Sequence, residues 1–243
     1  AVLLQPAASA LHFVDGFTMK HALVFAALIA ATDPIAVVAL FKTLGAPKRL
    51  AVLVEGESLL NDGTAVVFFT LILGAVTGDS LSIGGAVVDF VRVVGLGTLV
   101  GVLVGYLASK LTQRVDDPMI EITLTTIAAY GSFIIAEHFH LSGVIATVAA
   151  GMLCGNYGAR TGMSPSTRIA VESFWEYVAF ALNSIVFLLI GFEVHLSALL
   201  LSWKMILVAY MAVTLGRAAL IYAVTWLLRR TRETLPWSWS AVL

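Results

Sequence analysis

Two aspartates stand inside stretches that otherwise hold mostly apolar side chains. Asp33 lies in Ala-Ala-Thr-Asp-Pro-Ile-Ala, and Asp62 in Ser-Leu-Leu-Asn-Asp-Gly-Thr-Ala-Val-Val. A charged side chain near the centre of a bilayer costs at least about 2.5–3.5 kcal/mol on insertion scales, so it persists mainly where it has a task or a partner. Two of them on consecutive segments, both beside polar side-chain oxygens, point to a cation or proton site.

Ser58, Asn61 and Asp62 are spaced i, i+3 and i+4, so a helix presents all three on one face. That face offers a hydroxyl, an amide carbonyl and a carboxylate, the oxygen donors that hard cations prefer. Asp62 can hold either a proton or a cation, since both use its ionised form. The competing reading is a polar patch that glues helices together. In Thr32-Asp33-Pro34 the proline removes a backbone donor, clashes with the preceding turn and disfavours helical geometry at Asp33. The helix is expected to break near mid-membrane, which is tolerated only where the loosened backbone lines a protein-enclosed or watery cavity. Half-helix ends exposed by such a break carry dipoles that act on ions. A plain proline kink, with Asp33 bonded to its neighbours, is the alternative.

Arg217 lies in Val-Thr-Leu-Gly-Arg-Ala-Ala-Leu-Ile-Tyr. A guanidinium cannot deprotonate and should not sit unpaired at this depth, so it is expected to face inward and meet a carboxylate, Glu57 or Glu55. Snorkelling is the weaker account, because about ten residues separate it from the nearest basic cluster. Asn183, Thr123, Thr125 and Thr126 read as helix–helix hydrogen bonds, and Gly151-x-x-x-Gly155 as a site of close helix packing. His138 and His140 fall at a span end, where a surface position is expected.

These residues must be positioned by membrane-spanning helices. Only 12% of the 243 residues are charged and 60% are hydrophobic, against about a quarter charged in a soluble domain, so an all-α integral membrane protein is expected. The single cysteine, Cys154, excludes an intrachain disulfide. Basic residues are scattered, with no stripe suited to nucleic acid. Seven segments approach the about 20 apolar residues a span requires: 21–41, 58–77, 86–109, 119–138, 141–157, 173–194 and 203–228. Every second loop is basic: Lys42, Lys48 and Arg49; Lys110 and Arg114; Arg160 and Arg168; Arg229, Arg230 and Arg232. The opposite loops carry Asp79, Glu137 and Glu193, with little basic charge beyond Lys204 and Arg92. The positive-inside rule then makes residues 42–57 cytoplasmic. Residues 1–18 read as a loop or the end of a preceding helix, and residues 19–243 as the transmembrane domain. Both ends look cut, since the first methionine is Met19 and the C-terminal Pro-Trp-Ser-Trp-Ser-Ala-Val-Leu suggests another helix beginning.

Ala-Thr-Asp-Pro-Ile-Ala-Val, followed by Glu-Gly-Glu-Ser-Leu-Leu-Asn-Asp-Gly-Thr-Ala-Val, resembles the monovalent cation/proton antiporters of the NhaP and sodium/proton exchanger type. The likeness continues through His140-Leu-Ser-Gly-Val-Ile-Ala, Leu182-Asn-Ser-Ile-Val-Phe-Leu-Leu-Ile-Gly and Gly216-Arg-Ala. It implies a 13-helix fold of two inverted repeats, a homodimer when full length, and a chain that supplies the fifth through eleventh helices. The opening helices and the second crossing helix of that fold would then lie outside this chain. Thr32 and Asp33 match the family's unwound helix, Ser58, Asn61 and Asp62 its ion-binding helix, and Arg217 the arginine that pairs with the glutamate at position 57. The Asn61-Asp62 pair matches the electroneutral form.

The expectation is a secondary antiporter, not an enzyme, that exchanges sodium for protons by alternating access, with lithium and potassium as alternative cations. Sodium would meet Asp62 and Asp33. No organic cofactor or ATP is called for, and no Walker-type loop is present. The expected partners are the cation, the proton and the bilayer, and the expected location is a bacterial inner membrane. The rival is a proton-gated channel or sensory membrane protein that uses the same acids.

Overall fold

The structure is a computed structural model and describes residues 1–2, 4–6, 18–77 and 83–228. Asp79, Arg229, Arg230, Arg232, the tryptophan-rich end and most of the 1–18 stretch lie outside the described residues. Helices account for the fold: α1 (Met19–Leu28), α2 (Ile35–Leu44), α3 (Lys48–Thr77), α4 (Ile83–Thr112), α5 (Pro118–His138), α6 (Gly143–Leu153), α7 (Pro165–Glu193), α8 (Leu196–Leu201) and α9 (Trp203–Leu228). A π-helical turn over Cys154–Gly158 and a short turn over Ala159–Thr161 extend α6. Five helices (α3, α4, α5, α7 and α9) are long and apolar enough to cross a membrane.

The other two expected spans are present in broken form. The first is split into α1 and α2, of 10 residues each. Each half is about 15 Å long, so together they match the ~30 Å hydrocarbon core. The fifth runs from Gly143 to Thr161 with its helix widened into the π turn. Two boundaries also differ from the hydropathy reading. Helix α3 starts at Lys48 rather than near 58, and α7 at Pro165 rather than near 173. Prolines explain both starts: the Pro47 carbonyl accepts from the Leu50 and Ala51 N–H groups, and Pro165 opens α7. Hydropathy senses where apolar side chains begin to dominate, not where the backbone becomes helical.

The chain divides into two compact units, Ala1–Ser58 with Val194–Leu243, and Leu59–Glu193. In the first, Gly45 ends α2 in the left-handed conformation at φ 67°, which glycine adopts without penalty. The turn lets Phe41 pack on Leu50 and Val54 of α3. In the second, α4 and α6 approach closely through glycines on α4. A Cβ at Gly97 would stand 3.0 Å from the Ser142 carbonyl oxygen, and one at Gly105 2.8 Å from that of Ala150. At Gly101 it would overlap the carbonyl oxygen of Ala146. The close-packing motif is therefore Gly97-x-x-x-Gly101-x-x-x-Gly105, whose four-residue spacing keeps all three on one face. Gly151 and Gly155, expected to play this part, have nothing within 4 Å of a Cβ position and instead line an apolar cavity of about 740 Å³ inside the second unit.

Candidate cation and proton site

In the first unit, residues 29–34 separate α1 from α2 and contain Thr32, Asp33 and Pro34. The break leaves backbone groups that a continuous helix would have paired. Two side chains take up part of that deficit. Oδ1 of Asp33 accepts from the Ile35 N–H at 2.9 Å, serving the first turn of α2. Ser58, 4% exposed on α3, donates its Oγ–H to the Thr32 carbonyl oxygen. Ser58 thus ties the broken segment to α3.

Asn61 and Asp62 follow Ser58 by one turn on the same helix, and Asp62 lies at the middle of its 30 residues. Both are half-buried. The next residue, Gly63, was passed over in the sequence. A Cβ there would meet Ile145 Cγ1 at 2.8 Å, so the glycine makes room for this α6 side chain against α3. The only clue was a glycine within a long apolar helix, a weak signal that names no partner.

Arg217 on α9 places Nη2 3.5 Å from Glu57 Oε2, so of the two expected glutamates the ion pair is made by Glu57. The side chains are 41% and 46% exposed. That is less desolvation than a deep intramembrane pair implies, and the energy should fall between surface and buried limits. Arg217→Ala is expected to lower the melting temperature of the full-length protein in detergent. In a double-mutant cycle with Glu57→Gln, the coupling should be about 0.5–3 kcal/mol. Strictly additive losses would show that the two residues act apart.

The remaining polar residues of the spans are accounted for locally. Thr123 and Thr126 donate to the carbonyls of Met119 and Ile122, and Thr125 donates to Ile122 while accepting from Trp175 Nε1 at 3.1 Å. The last is a helix–helix bond between α5 and α7. Asn183 is half-buried on α7. His138 and His140 are exposed, and His140 turns the chain at φ 54°. Glu137 closes that turn by accepting from the Gly143 N–H at 3.1 Å. Among the described residues, no group of three or more His, Cys, Asp or Glu could hold a metal ion. A monovalent cation would depend on mixed oxygen donors such as those of the Ser58–Asp62 face.

Residues 2–243 match the family model described as "Sodium/hydrogen exchanger, transmembrane". The chain is 42% identical over 235 residues to the Na(+)/H(+) antiporter ApNhaP of Aphanothece halophytica, covering 96% of this chain and 45% of that protein. It is 46% identical to the low-affinity Na(+)/H(+) antiporter NhaS1 of Synechocystis sp., over 88% of this chain and 41% of the relative. With the Na(+)/H(+) antiporter NhaP of Pseudomonas aeruginosa the identity is 40%, over 83% and 46%. The chain thus spans about half the length of the curated relatives it matches. A broken helix with an acid at the break, a second acid at the middle of the following helix, and these matches agree: the chain belongs to the sodium/hydrogen exchanger family.

Proposed function

We propose that the protein of which this chain is part is a multi-pass membrane antiporter that exchanges sodium for protons, with Asp62 as the shared binding carboxylate. The observation that carries this reading is the Ser58–Thr32 hydrogen bond, which joins the unwound segment to α3 one turn before Asp62. Because Ser58 spends its proton on the Thr32 carbonyl, its Oγ lone pairs remain for a cation. Asn61 would add its carbonyl oxygen and Asp62 the charge. Asp33 would hold the break open by accepting from the Ile35 N–H at the start of α2. Glu57 and Arg217 would brace α3 against α9. The relatives named as Na(+)/H(+) antiporters support sodium as the cation.

If one carboxylate serves both ions, one positive charge replaces another and the exchange is electroneutral. The reading extends to a homodimer in a bacterial inner membrane, with sodium and protons as cargo and no organic cofactor. The test is a two-ion flux measurement on the full-length protein in proteoliposomes. An outward sodium gradient should drive proton uptake one for one, and an imposed membrane potential should leave the rate unchanged. Sodium flux without obligatory proton movement would make the protein a channel. A strong dependence on potential would show more than one proton moved per cation.

A further inference from the structure

Glu121 is the largest side chain to be fully buried among the described residues, at 0% exposure. Neither carboxyl oxygen has a hydrogen-bond partner among those residues. It occupies the first turns of α5, on the face that also buries Thr125, Ala128, Ser132 and Ala136. The N-terminal amides it could have served are already occupied, since Asp117 accepts from the Met119 and Ile120 N–H groups.

Among the described residues, none gives that carboxyl a hydrogen bond. Asp116 and Asp117, just ahead of it in the chain, are both negative and exposed. Helix α4, which packs against α5, carries the buried hydroxyls Ser109 and Thr112 and the exposed Lys110, with the exposed Arg114 in the loop after it. From α7 come buried Thr167, whose hydroxyl donates to Asp116, and Arg168, which is bonded to Glu172 at 2.8 Å. The turn after α6 adds Cys154, buried, and Arg160, exposed. None of these bases makes an ion pair with Glu121. An ionised carboxyl in such a place would be a desolvated charge beside two like charges, and a buried group in that position neutralises instead. The attraction of a helix N-terminus for anions is too small to reverse this.

We infer that Glu121 is a proton-binding site in its own right, which holds a proton while α4, α5 and α7 are packed around it and loses it when that seam opens. This goes beyond the exchange reaction and does not rest on the role given to Asp62. A folded state that keeps a proton the unfolded chain has lost is stabilised at low pH, and that stability drains as pH rises. The seam is therefore expected to loosen under alkaline conditions.

Two measurements on the full-length protein decide the matter. Infrared difference spectra at neutral pH between wild type and E121Q should show a deuterium-sensitive carboxylic-acid C=O stretch that the variant lacks. D62N should retain this band, which separates Glu121 from the exchange site. Loss of ionised-carboxylate bands instead would mean that Glu121 is charged and paired, and would overturn the proposal. Thermal unfolding across pH supplies the second readout. The folding equilibrium of wild type relative to E121Q should fall by up to about tenfold per pH unit on the alkaline side. A ratio independent of pH would also overturn it. Should E121Q fail to fold, E121M, neutral and of similar volume, replaces it in both experiments.

Discussion

Asp62→Asn in the full-length protein is expected to reach the membrane folded and to show no cation-dependent proton movement above that of protein-free vesicles. Asparagine matches aspartate in shape and keeps one carbonyl oxygen, so the middle of α3 loses no volume. What it loses is the group proposed to carry a proton in one half of the cycle and balance a cation in the other. If the Ser58–Asn61–Asp62 face served only to glue helices, an amide would serve nearly as well, because interhelical hydrogen bonds need no charge. The variant therefore separates the two readings, and near-normal exchange would remove Asp62 from the binding site. Asp33→Asn is the informative companion. Its side-chain oxygen can still accept from the Ile35 N–H, which aspartate does at 2.9 Å. Exchange should survive in reduced form if Asp33 acts mainly through that bond to the half-helix.

The broken first span was legible in the sequence because Pro34 acts through local geometry: a missing donor and a restricted preceding residue are properties of the dipeptide itself. The i, i+3, i+4 face of Ser58, Asn61 and Asp62 was legible for the same reason, since helical spacing follows from helicity alone. Which partner each side chain meets was not. Arg217 had two candidate glutamates, and the structure places it against Glu57. The glycine seam was misplaced, because a glycine's use depends on what faces it. Gly101 meets the backbone of Ala146, whereas Gly151 meets open space, and nothing in the two local sequences distinguishes them. Glu121 went unnoticed because an acid in the first turn of a helix is ordinary when exposed. Its burial depends on what packs against α5, which no local pattern carries.

The other large effect concerns the affinity for sodium. If protons and sodium compete for the Asp62 carboxylate, apparent sodium affinity must weaken as pH falls into the range where Asp62 is protonated. The sign follows from mass action: each cation that binds must displace a proton, so added protons push it off. Once Asp62 is mostly protonated, the apparent dissociation constant should rise about tenfold for each further unit of pH, as for any ligand that displaces one proton. At high pH, with the carboxylate ionised, the affinity should level off and become independent of pH. Half-maximal sodium concentrations, measured in proteoliposomes with equal pH on both sides, give the curve directly. A limiting slope of two would bring in a second titrating carboxylate, with Asp33 the first to substitute. The proton site inferred at Glu121 would show itself differently, in stability at alkaline pH rather than in sodium affinity at acid pH. A sodium affinity flat across the whole range would place the two ions on separate groups, and competition at Asp62 would have to be abandoned.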